Sequence, residues 1–430
     1  MSEILTFEET DRERHSESRA GHWTLCETLT VKALSQFRYG ALRMTWPDGR
    51  TRVFGGENEP VTAEIRIRRR ERFFHQVCLF GNVGFGEAYV SGDWDTGSVV
   101  KVVGWFIENL HRTPGCDCSS QRVKSLNLLR WYNRVQHWLR PNSVRTSRRN
   151  IAEHYDLGND FYSLWLDDTM TYSAAKFTRE DQSLEEAQTQ KYEALCQKLR
   201  LQPSDHVLEI GCGWGGFSSY AARTYGCRVT AITISEAQHR FATERMRREG
   251  LEDKVEIRLE DYRHVSGKYD KIASIEMLEA VGDAYLETYF AKCAELLTRD
   301  GLLAVQMITV PDRGYNQLRK GTDWIQKHIF PGSLLLSISR VNEALNRTGD
   351  LFMHELEDLG AGYARTLRIW WEKFHAKLPE VDALGFDHRF IRKWNYYLQY
   401  CEAAFDHRNI SVVQACYTRA NNQTLRGIPS

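Results

Sequence analysis

The stretch VLEIGCGWGG, residues 207–216, decides the fold of this 430-residue chain. It begins with a short apolar run that is typical of a buried strand and continues into a glycine-rich loop. Gly211, Gly213 and Gly215 let the backbone turn sharply and approach a ligand more closely than residues with side chains would allow. We therefore predict a strand, a ligand-binding loop and the start of a helix.

Four further apolar runs continue the pattern toward the C-terminus. They are RVTAIT (228–233), VEIRLE (255–260), YDKIASI (269–275) and GLLAVQMIT (301–309), and sequences with helical character separate them. This alternation predicts an α/β fold with a doubly wound, mostly parallel sheet. Residues 351–420 are instead predicted to be helical.

The part of the chain before the glycine loop differs from this pattern. LRMTW (42–46) and TRVF (51–54) flank the turn sequence Pro47-Asp48-Gly49, which predicts a hairpin. A strand at Ala63–Ile67 and helices near Arg69–Leu79 and Val99–Leu110 are expected to follow. We predict a small α+β domain in residues 1–110, a helical linker in 111–150 and the α/β domain in 151–430.

The linker is strongly basic, although the whole chain has a net charge of zero. Nine Lys or Arg residues and one acid, Asp117, occur between residues 111 and 150, and leucines and tryptophans lie between them. This pattern is typical of a segment that binds anionic lipid headgroups, and equally of a solvated connecting helix.

Composition limits the location of the protein. The sequence has no apolar run of about 18 residues, which argues against a membrane-spanning helix. Its start, Met1–Arg14, lacks the layout of a signal peptide. The ten cysteines are scattered, and Cys116 and Cys118 have no second ligand pair nearby, so we expect reduced thiols, a cytoplasmic location and no metal site.

The residues after the second and third strands favour S-adenosylmethionine over a nicotinamide. A dinucleotide site would require an acid after the second strand for the ribose hydroxyls, but Thr233 and Ile234 end this strand and Gln238 follows. Asp261 and Tyr262, after the third strand, suit the amino group and the ring of an adenine. Glu209 is expected either to reach the methionine end of the cofactor or to be a structural acid in the sheet.

The chain resembles the cyclopropane fatty acid synthase family, which includes bacterial phospholipid-modifying enzymes and mycolic acid methyltransferases. The similarity covers residues 140 to about 420, and GFGEAYVSGDWD (84–95) resembles the N-terminal lipid-binding domain of the bacterial synthases. The stretches that carry it are AEHYDLGNDFYSLWLDDTMTYSAAKF (152–177), VLEIGCGWGGFSSYAA (207–222), AITISEAQ (231–238), EDYR (260–263), SIEMLEAVG (274–282), IFPG (329–332) and GAGYARTLRIWWEKF (360–374).

This resemblance implies the Rossmann-like fold of class I S-adenosylmethionine methyltransferases and a reaction. A one-carbon unit would be transferred to the cis double bond of an unsaturated phospholipid acyl chain. The resulting carbocation would lose a proton to a bound bicarbonate ion, which closes a cyclopropane ring. The expected partner is the surface of an anionic phospholipid bilayer, which the protein would bind peripherally on the cytoplasmic side; a homodimer is possible within the family, and nucleic acid is not an expected partner.

The resemblance also implies the site residues. The bicarbonate cluster falls on Ala174, Glu279, Gln306, Ile308 and Tyr363. The cofactor contacts fall on Tyr172, Ser173, Glu209, Gly211, Gly213, Gly215, Thr233, Ile234, Gln238, Asp261 and Tyr262. Aromatic candidates for stabilising the cation are Tyr155, Phe161, Tyr162 and Tyr172.

Two positions depart from the common pattern of the family. Ala174 replaces a cysteine and Gln306 replaces a histidine, and these departures concern ring closure rather than methyl transfer. A methyl-branching or methylene-forming enzyme and a non-catalytic lipid-binding protein are the alternatives. An apolar stripe near the C-terminus is expected to pack in the core, and some of its members to line an acyl tunnel: Phe390, Ile391, Trp394, Leu398, Cys401 and Phe405.

Overall fold

A computed structural model describes residues 24–56, 59–112 and 157–425. Several predictions fall outside these ranges. They concern the basic linker beyond its first two residues, the pair Cys116 and Cys118, and residues 152–156, which include Tyr155.

The first two described ranges build a separate four-stranded sheet. Its strands are β1 (Ala41–Thr45), β2 (Thr51–Gly55), β3 (Val61–Ile67) and β4 (Trp94–Asp95), in the order β2-β1-β3-β4. β1 and β2 pair antiparallel, which confirms the predicted hairpin. Gly49 adopts a φ of 83° in the turn, a conformation that glycine reaches without steric cost.

The larger sheet has seven strands within the described residues. They are β5 (His206–Ile210), β6 (Arg228–Thr233), β7 (Val255–Leu259), β8 (Tyr269–Ile275), β9 (Leu297–Thr309), β10 (Leu351–Asp358) and β11 (Ser411–Arg419). The order is β10-β11-β9-β8-β5-β6-β7. The five strands from β9 to β7 are parallel, and β11 is antiparallel to both of its neighbours. The predicted doubly wound, mostly parallel sheet is confirmed.

The prediction that residues 351–420 are helical is wrong at both ends of that range, where β10 and β11 lie. β11 is rich in small and apolar residues and almost entirely buried, so its sequence has no period that separates it from a buried helix. β10 is an edge strand that pairs only with β11, more than fifty residues further along the chain. A pairing over that distance leaves no local signal in the sequence.

Helices cover both faces of the larger sheet and connect it to the smaller one. The described helices are α1 (Leu25–Leu34), α2 (Arg70–Val90), α3 (Val99–Arg112), α4 (Asn159–Ser163), α5 (Leu184–Leu199), α6 (Gly216–Tyr225), α7 (Glu236–Arg248), α8 (Leu286–Leu296), α9 (Asp312–Leu318), α10 (Trp324–His328), α11 (Ile338–Thr348), α12 (Gly360–Ala376), α13 (Leu378–Ala383) and α14 (His388–Asp406). Short 3-10 helices span Leu278–Ala280, Asp283–Tyr285 and Gln423–Leu425.

Helix α14 joins the N-terminal sheet to the rest of the molecule. Asp387 caps it by accepting a hydrogen bond from the Phe390 amide at 2.7 Å. Arg392 donates to the carbonyl oxygens of Tyr89 (2.7 Å) and Trp94 (3.0 Å). Because apolar residues of α2, α3 and α14 belong to one continuous core, the two sheets are held in a fixed relation around the space between them.

Candidate active site

The candidate site lies at the carboxyl ends of β5 and β8, which are neighbours in the sheet although they are distant in sequence. The chain leaves β5 toward β6 on one side, whereas β8 leads toward β9 on the other side. A crevice opens where the winding direction of such a sheet changes, and ligands of α/β proteins bind there.

A cavity of about 1770 Å³ occupies this crevice and extends toward the N-terminal helices. Among the sequence-predicted residues, those that line it are Tyr172, Ser173, Glu209, Gly211, Gly213, Thr233, Ile234, Gln238, Asp261, Tyr262, Glu279, Ile308 and Tyr363. The structure thus brings most of the predicted cofactor residues and three of the five predicted catalytic residues to one cavity.

The glycine loop has the backbone conformation that its sequence predicts. Gly211, Gly213 and Gly215 have φ values of 84°, 52° and 81°, in the region that favours glycine. A Cβ atom on Gly213 would meet no atom within 4 Å, so this part of the loop faces open cavity. Gly215 instead packs against Ala242 and does not line the cavity, which makes helix packing, rather than contact with the cofactor, its role in this structure.

The loops after β6 and β7 form one wall of the cavity. The Thr233 hydroxyl donates to Gln238 Oε1 at 2.9 Å, so these two predicted cofactor residues hold each other in place. Both carboxylate oxygens of Asp261 accept hydrogen bonds from Arg263, at 2.8 and 2.7 Å. The carboxylate expected to bind an adenine is therefore already paired, and this pairing lowers the pKa of Asp261 although burial opposes it.

Glu209, in β5, and Lys191, in α5, are both buried. Glu209 accepts a hydrogen bond from the Ser218 hydroxyl, and burial raises its pKa to about 7. Lys191 in α5 donates to the Ser173 hydroxyl at 2.7 Å, and burial lowers its pKa to about 7. Sequence reasoning missed Lys191, because nothing in its helix distinguishes it from a surface lysine.

Glu279 is buried in the 3-10 helix after β8, and its side chain has one hydrogen-bond partner among the described residues. Its Oε1 atom accepts a hydrogen bond from the Ile308 amide at 2.5 Å, whereas the predicted cluster has both residues contact bicarbonate. Its Oε2 atom has no hydrogen-bond partner among the described residues. Burial, and then the neighbouring charge of Glu276, raises the pKa of Glu279 to about 8.

Glu276 is the residue that sequence reasoning missed at the centre of the site. Its Oε1 accepts hydrogen bonds from the Ala174 amide (2.8 Å) and from Gln306 Nε2 (2.7 Å). Its Oε2 accepts one from the Tyr363 hydroxyl (2.9 Å). Glu276 lines the cavity, whereas Ala174 and Gln306 are fully buried and do not line it. The available signal was SIEMLEAVG, in which two glutamates three residues apart follow β8.

Aromatic rings surround the space beyond the carboxylates, but they are not all the expected ones. Phe161 and Tyr162 are fully buried in the core and do not line the cavity, so they are wrong as candidates for facing a cation. Tyr172 does line it, and its hydroxyl lies 2.8 Å from that of Tyr397.

The C-terminal apolar stripe divides in the same way. Cys401 and Phe405 line the cavity, whereas Phe390, Ile391, Trp394 and Leu398 lie outside its lining. Both expectations for this stripe, core packing and a tunnel wall, are met by different members.

Comparison with known proteins identifies the family. Residues 142–415, more than half of the chain, match the sequence model of the family described as "Mycolic acid cyclopropane synthetase". The chain belongs to this family.

Two named relatives are similar to this chain over most of its length. The tuberculostearic acid methyltransferase UfaA1 of Mycobacterium tuberculosis is 35% identical over 87% of this chain and 86% of its own length. A cyclopropane-fatty-acyl-phospholipid synthase of Escherichia coli is 34% identical over 86% of this chain and 91% of its own length.

Solved structures of the synthase family share the fold. The cyclopropane synthase MmaA2 of Mycobacterium tuberculosis superposes with a TM-score of 0.59 at 30% identity, over 63% of this chain and 98% of that chain. A mycolic acid cyclopropane synthase, CmaA1, complexed with SAH and CTAB, gives the same TM-score, identity and coverage. The chain has the class I S-adenosylmethionine methyltransferase fold and is an S-adenosylmethionine-dependent lipid methyltransferase.

The residues of this synthase-family member fit S-adenosylmethionine. The glycine loop presents open space at Gly213, and Gln238, Asp261 and Tyr262 form the wall beside it. Glu209, which precedes the loop in sequence, also lines the cavity and would hold the amino acid end of the cofactor.

The same residues do not fit the bicarbonate ion that the family resemblance implied. Three of the five predicted bicarbonate positions, Ala174, Gln306 and Tyr363, already donate to the carboxylate of Glu276. An anion bound about 4 Å from the ionised Glu276 carboxylate would be repelled by about 4 kcal/mol at an effective dielectric constant near 20. The donors that bicarbonate would need are therefore already used by a carboxylate of the chain itself.

The described residues contain no group of three or more His, Cys, Asp or Glu side chains that is placed to hold a metal ion. None of the helices in residues 24–56, 59–112 and 157–425 is long and apolar enough to cross a membrane.

Proposed function

We propose that this chain transfers a one-carbon unit to the cis double bond of unsaturated acyl chains in phospholipids and forms a cyclopropane ring. The observation that carries this proposal is the single cavity, which joins the glycine loop, the carboxyl groups of Glu276 and Glu279, and a long apolar arm. The name of the Escherichia coli relative, cyclopropane-fatty-acyl-phospholipid synthase, supports the same substrate class.

The apolar arm has the chemistry of an acyl-chain site. It runs between the N-terminal helices α2 and α3 and the C-terminal helix α14. Its lining includes Val77, Phe80, Val83, Val103, Phe106, Ile107, Leu110, Tyr396, Tyr397, Tyr400 and Cys401. Each methylene group buried there contributes about 0.8 kcal/mol, so an acyl chain would bind firmly without any polar contact.

The chain's own residues provide the environment that the chemistry requires. When bound, S-adenosylmethionine supplies a methyl group on a sulfonium centre, which a double bond attacks because the sulfur leaves as a neutral thioether. The apolar walls exclude water, which would capture the carbocation on the acyl chain. Tyr172 and Phe405 line the cavity, and aromatic rings stabilise a nearby positive charge.

We propose that the reaction takes place at the surface of an anionic membrane, which the protein binds peripherally from the cytoplasmic side. The basic composition of residues 111–150 supports this location, since lysines and arginines near such a surface contribute about 1 kcal/mol each. A homodimer remains a prediction.

The test uses the full chain, S-adenosylmethionine with a labelled methyl group, and vesicles of dioleoyl phosphatidylglycerol. We expect labelled lipid whose acyl chains carry a cyclopropane ring by mass spectrometry and NMR. Vesicles of the saturated distearoyl lipid should accept no label, because they have no double bond. Equal labelling of both lipids, or none of either, would refute the proposed function.

A variant and its matched control test the apolar arm. Ile107→Trp on α3 places a bulky ring in the cavity, so we expect lipid turnover to fall while S-adenosylmethionine still binds. Lys101→Trp introduces the same side chain on the exposed side of the same helix and should leave turnover unchanged. The same loss in both variants would argue against an acyl chain in this arm.

A second product is favoured by one observation, the similarity to the tuberculostearic acid methyltransferase UfaA1. If the cation loses a proton from a neighbouring chain carbon, the product has a methyl branch and a double bond within the chain. If a hydride first shifts from the methylated carbon to the cationic carbon, loss of a proton from the transferred methyl group leaves a methylene group. Neither route closes a ring. NMR of the product distinguishes these outcomes, because cyclopropane protons and olefinic protons resonate far apart.

A further inference from the structure

Glu276 lines the same cavity as the glycine loop and the apolar arm. Glu276 follows directly after β8, and its backbone amide donates to the Gln306 carbonyl oxygen at 2.8 Å. Its side chain accepts the three hydrogen bonds from Ala174, Gln306 and Tyr363 described above. It is therefore a protein carboxylate placed where the family resemblance predicts an anion.

These three donors orient the carboxylate and favour its ionised form. The Ala174 amide can only donate. The Gln306 amide group is fixed in orientation, because its Oε1 accepts from Gln414 Nε2 at 3.0 Å and its Nε2 also donates to the Ala174 carbonyl oxygen at 3.3 Å. Donors held in place in this way stabilise a charged acceptor more strongly than they stabilise a neutral one.

The backbone at Glu276 is strained in a manner typical of functional residues. Its φ is 49°, in the left-handed region that non-glycine residues rarely adopt. This conformation costs roughly 1–2 kcal/mol for a residue with a side chain. Such strain persists where the surroundings hold a side chain in a required position, and here it directs a carboxylate into the cavity.

We propose that Glu276 is the base that completes the reaction, so that this chain performs with its own carboxylate the step otherwise assigned to bound bicarbonate. This inference rests on the proposed function, since it concerns the proton that must leave after methyl transfer to an acyl chain.

The step balances without any further reactant. After the double bond has taken the methyl group, the acyl chain carries a cation on the adjacent carbon. Glu276 removes one proton from the transferred methyl group. The electron pair of that C–H bond forms the third side of the ring at the cationic carbon, and the charge is neutralised. Glu276 ends as a carboxylic acid and returns its proton to solvent when the products leave.

The electrostatics of the pocket agree with this role. Burial raises the pKa of Glu276 above its ordinary value, although its three donors and the charge of Lys191 oppose the rise, and a carboxylate with a raised pKa is a stronger base. Glu279, whose pKa is raised to about 8, stays neutral near pH 7. Glu279 therefore adds no second negative charge beside Glu276 at this pH.

The test compares wild type, Glu276→Gln and Glu276→Gly in buffer freed of carbon dioxide, with and without added sodium bicarbonate. The substrates are labelled S-adenosylmethionine and dioleoyl phosphatidylglycerol vesicles. We expect the wild type to form cyclopropane lipid at the same rate in both buffers. Glu276→Gln should lose about 100-fold or more of this rate, the usual contribution of a positioned base, and still bind S-adenosylmethionine by calorimetry.

Glu276→Gly keeps the proposal testable if the glutamine variant folds poorly. Glycine adopts the required φ without strain and leaves a space lined by the three donors. Added bicarbonate should enter that space and raise the rate of this variant at least about tenfold, by acting as the missing base. Glu185→Gln, an exposed position at the start of α5, is the matched control and should behave as wild type in both buffers.

Three results would overturn the proposal. They are a wild-type rate that depends on added bicarbonate, a Glu276→Gln variant with the wild-type rate, and a Glu276→Gly variant that bicarbonate does not rescue. The first two leave the proposed function standing, because lipid is still methylated. A wild type that labels no unsaturated lipid in either buffer would instead refute the proposed function itself, and this inference with it.

Discussion

Replacing Glu279 by glutamine should change how the stability of the protein depends on pH. Glu279 is 8% exposed, and burial together with the charge of Glu276 raises its pKa from an ordinary 4.5 to about 8. The folded protein therefore holds a proton at neutral pH that the unfolded chain releases. Glutamine has nearly the same shape as the neutral acid and keeps an oxygen that can accept the hydrogen bond from Ile308.

The sign and size of the effect follow from proton linkage. Since the folded state binds the proton more tightly, the free energy of unfolding of the wild type falls as pH rises from about 4.5 to about 8, and this contribution is constant above that range. Each pKa unit corresponds to about 1.4 kcal/mol, so the full difference is about 5 kcal/mol. Water entry and side-chain rotation relieve part of such a cost, and we expect about 2–5 kcal/mol in a measurement.

Urea unfolding followed by tryptophan fluorescence measures this difference. At about pH 5 the variant and the wild type should have similar free energies of unfolding, and near pH 9 the variant should be the more stable of the two. Glu185→Gln, the exposed control, should follow the wild-type profile at every pH. Parallel pH profiles for wild type and Glu279→Gln would refute the raised pKa of Glu279. They would also refute the inference that this side chain is neutral near pH 7.

Two further predictions concern the same cavity. Tyr363→Phe removes the hydroxyl that donates to Glu276 at 2.9 Å, so the pKa of Glu276 should rise. The acidic limb of the pH–rate profile should then move to higher pH. An unshifted limb would contradict this hydrogen bond. Gly211→Ala places a Cβ 2.8 Å from Met277 Cγ, whereas Gly213→Ala meets no atom within 4 Å. Both glycine positions have a positive φ, so both alanine variants are strained. Calorimetry and thermal unfolding should show that Gly211→Ala lowers the stability more than Gly213→Ala does. Equal losses of stability would assign the effect to backbone strain alone.

Much of the α/β domain could be predicted because its signals are local. The five parallel strands were identified from apolar runs bounded by turns, and the glycine loop from three positions that need a positive φ. The errors occurred where the deciding contacts are long-range. β10 pairs with β11 across the whole of α12 to α14, and β11 is too uniformly buried to show a period of two.

Only part of the candidate site could be predicted, again because some of its contacts are long-range and leave no local signal. Most of the predicted cofactor residues line the cavity, since they follow the strands at fixed positions. Asp261, however, is already paired with Arg263, and Gly215 contacts a helix rather than the cavity. The sequence does not predict that α2 and α3 form one wall of the cavity. A cavity between two packed units depends on how those units pack against each other.

By itself, the sequence determined the family, the cofactor and the reaction class, because these depend on ordered motifs that are continuous along the chain. Only the tertiary structure decided which group the predicted bicarbonate donors contact. Ala174, Glu276, Gln306 and Tyr363 come from four separate segments, and their donors converge on one carboxylate only when the sheet and α12 have packed. The strained φ of Glu276 points its side chain inward, and a backbone angle of this kind is set by the surrounding hydrogen bonds, which no local pattern encodes.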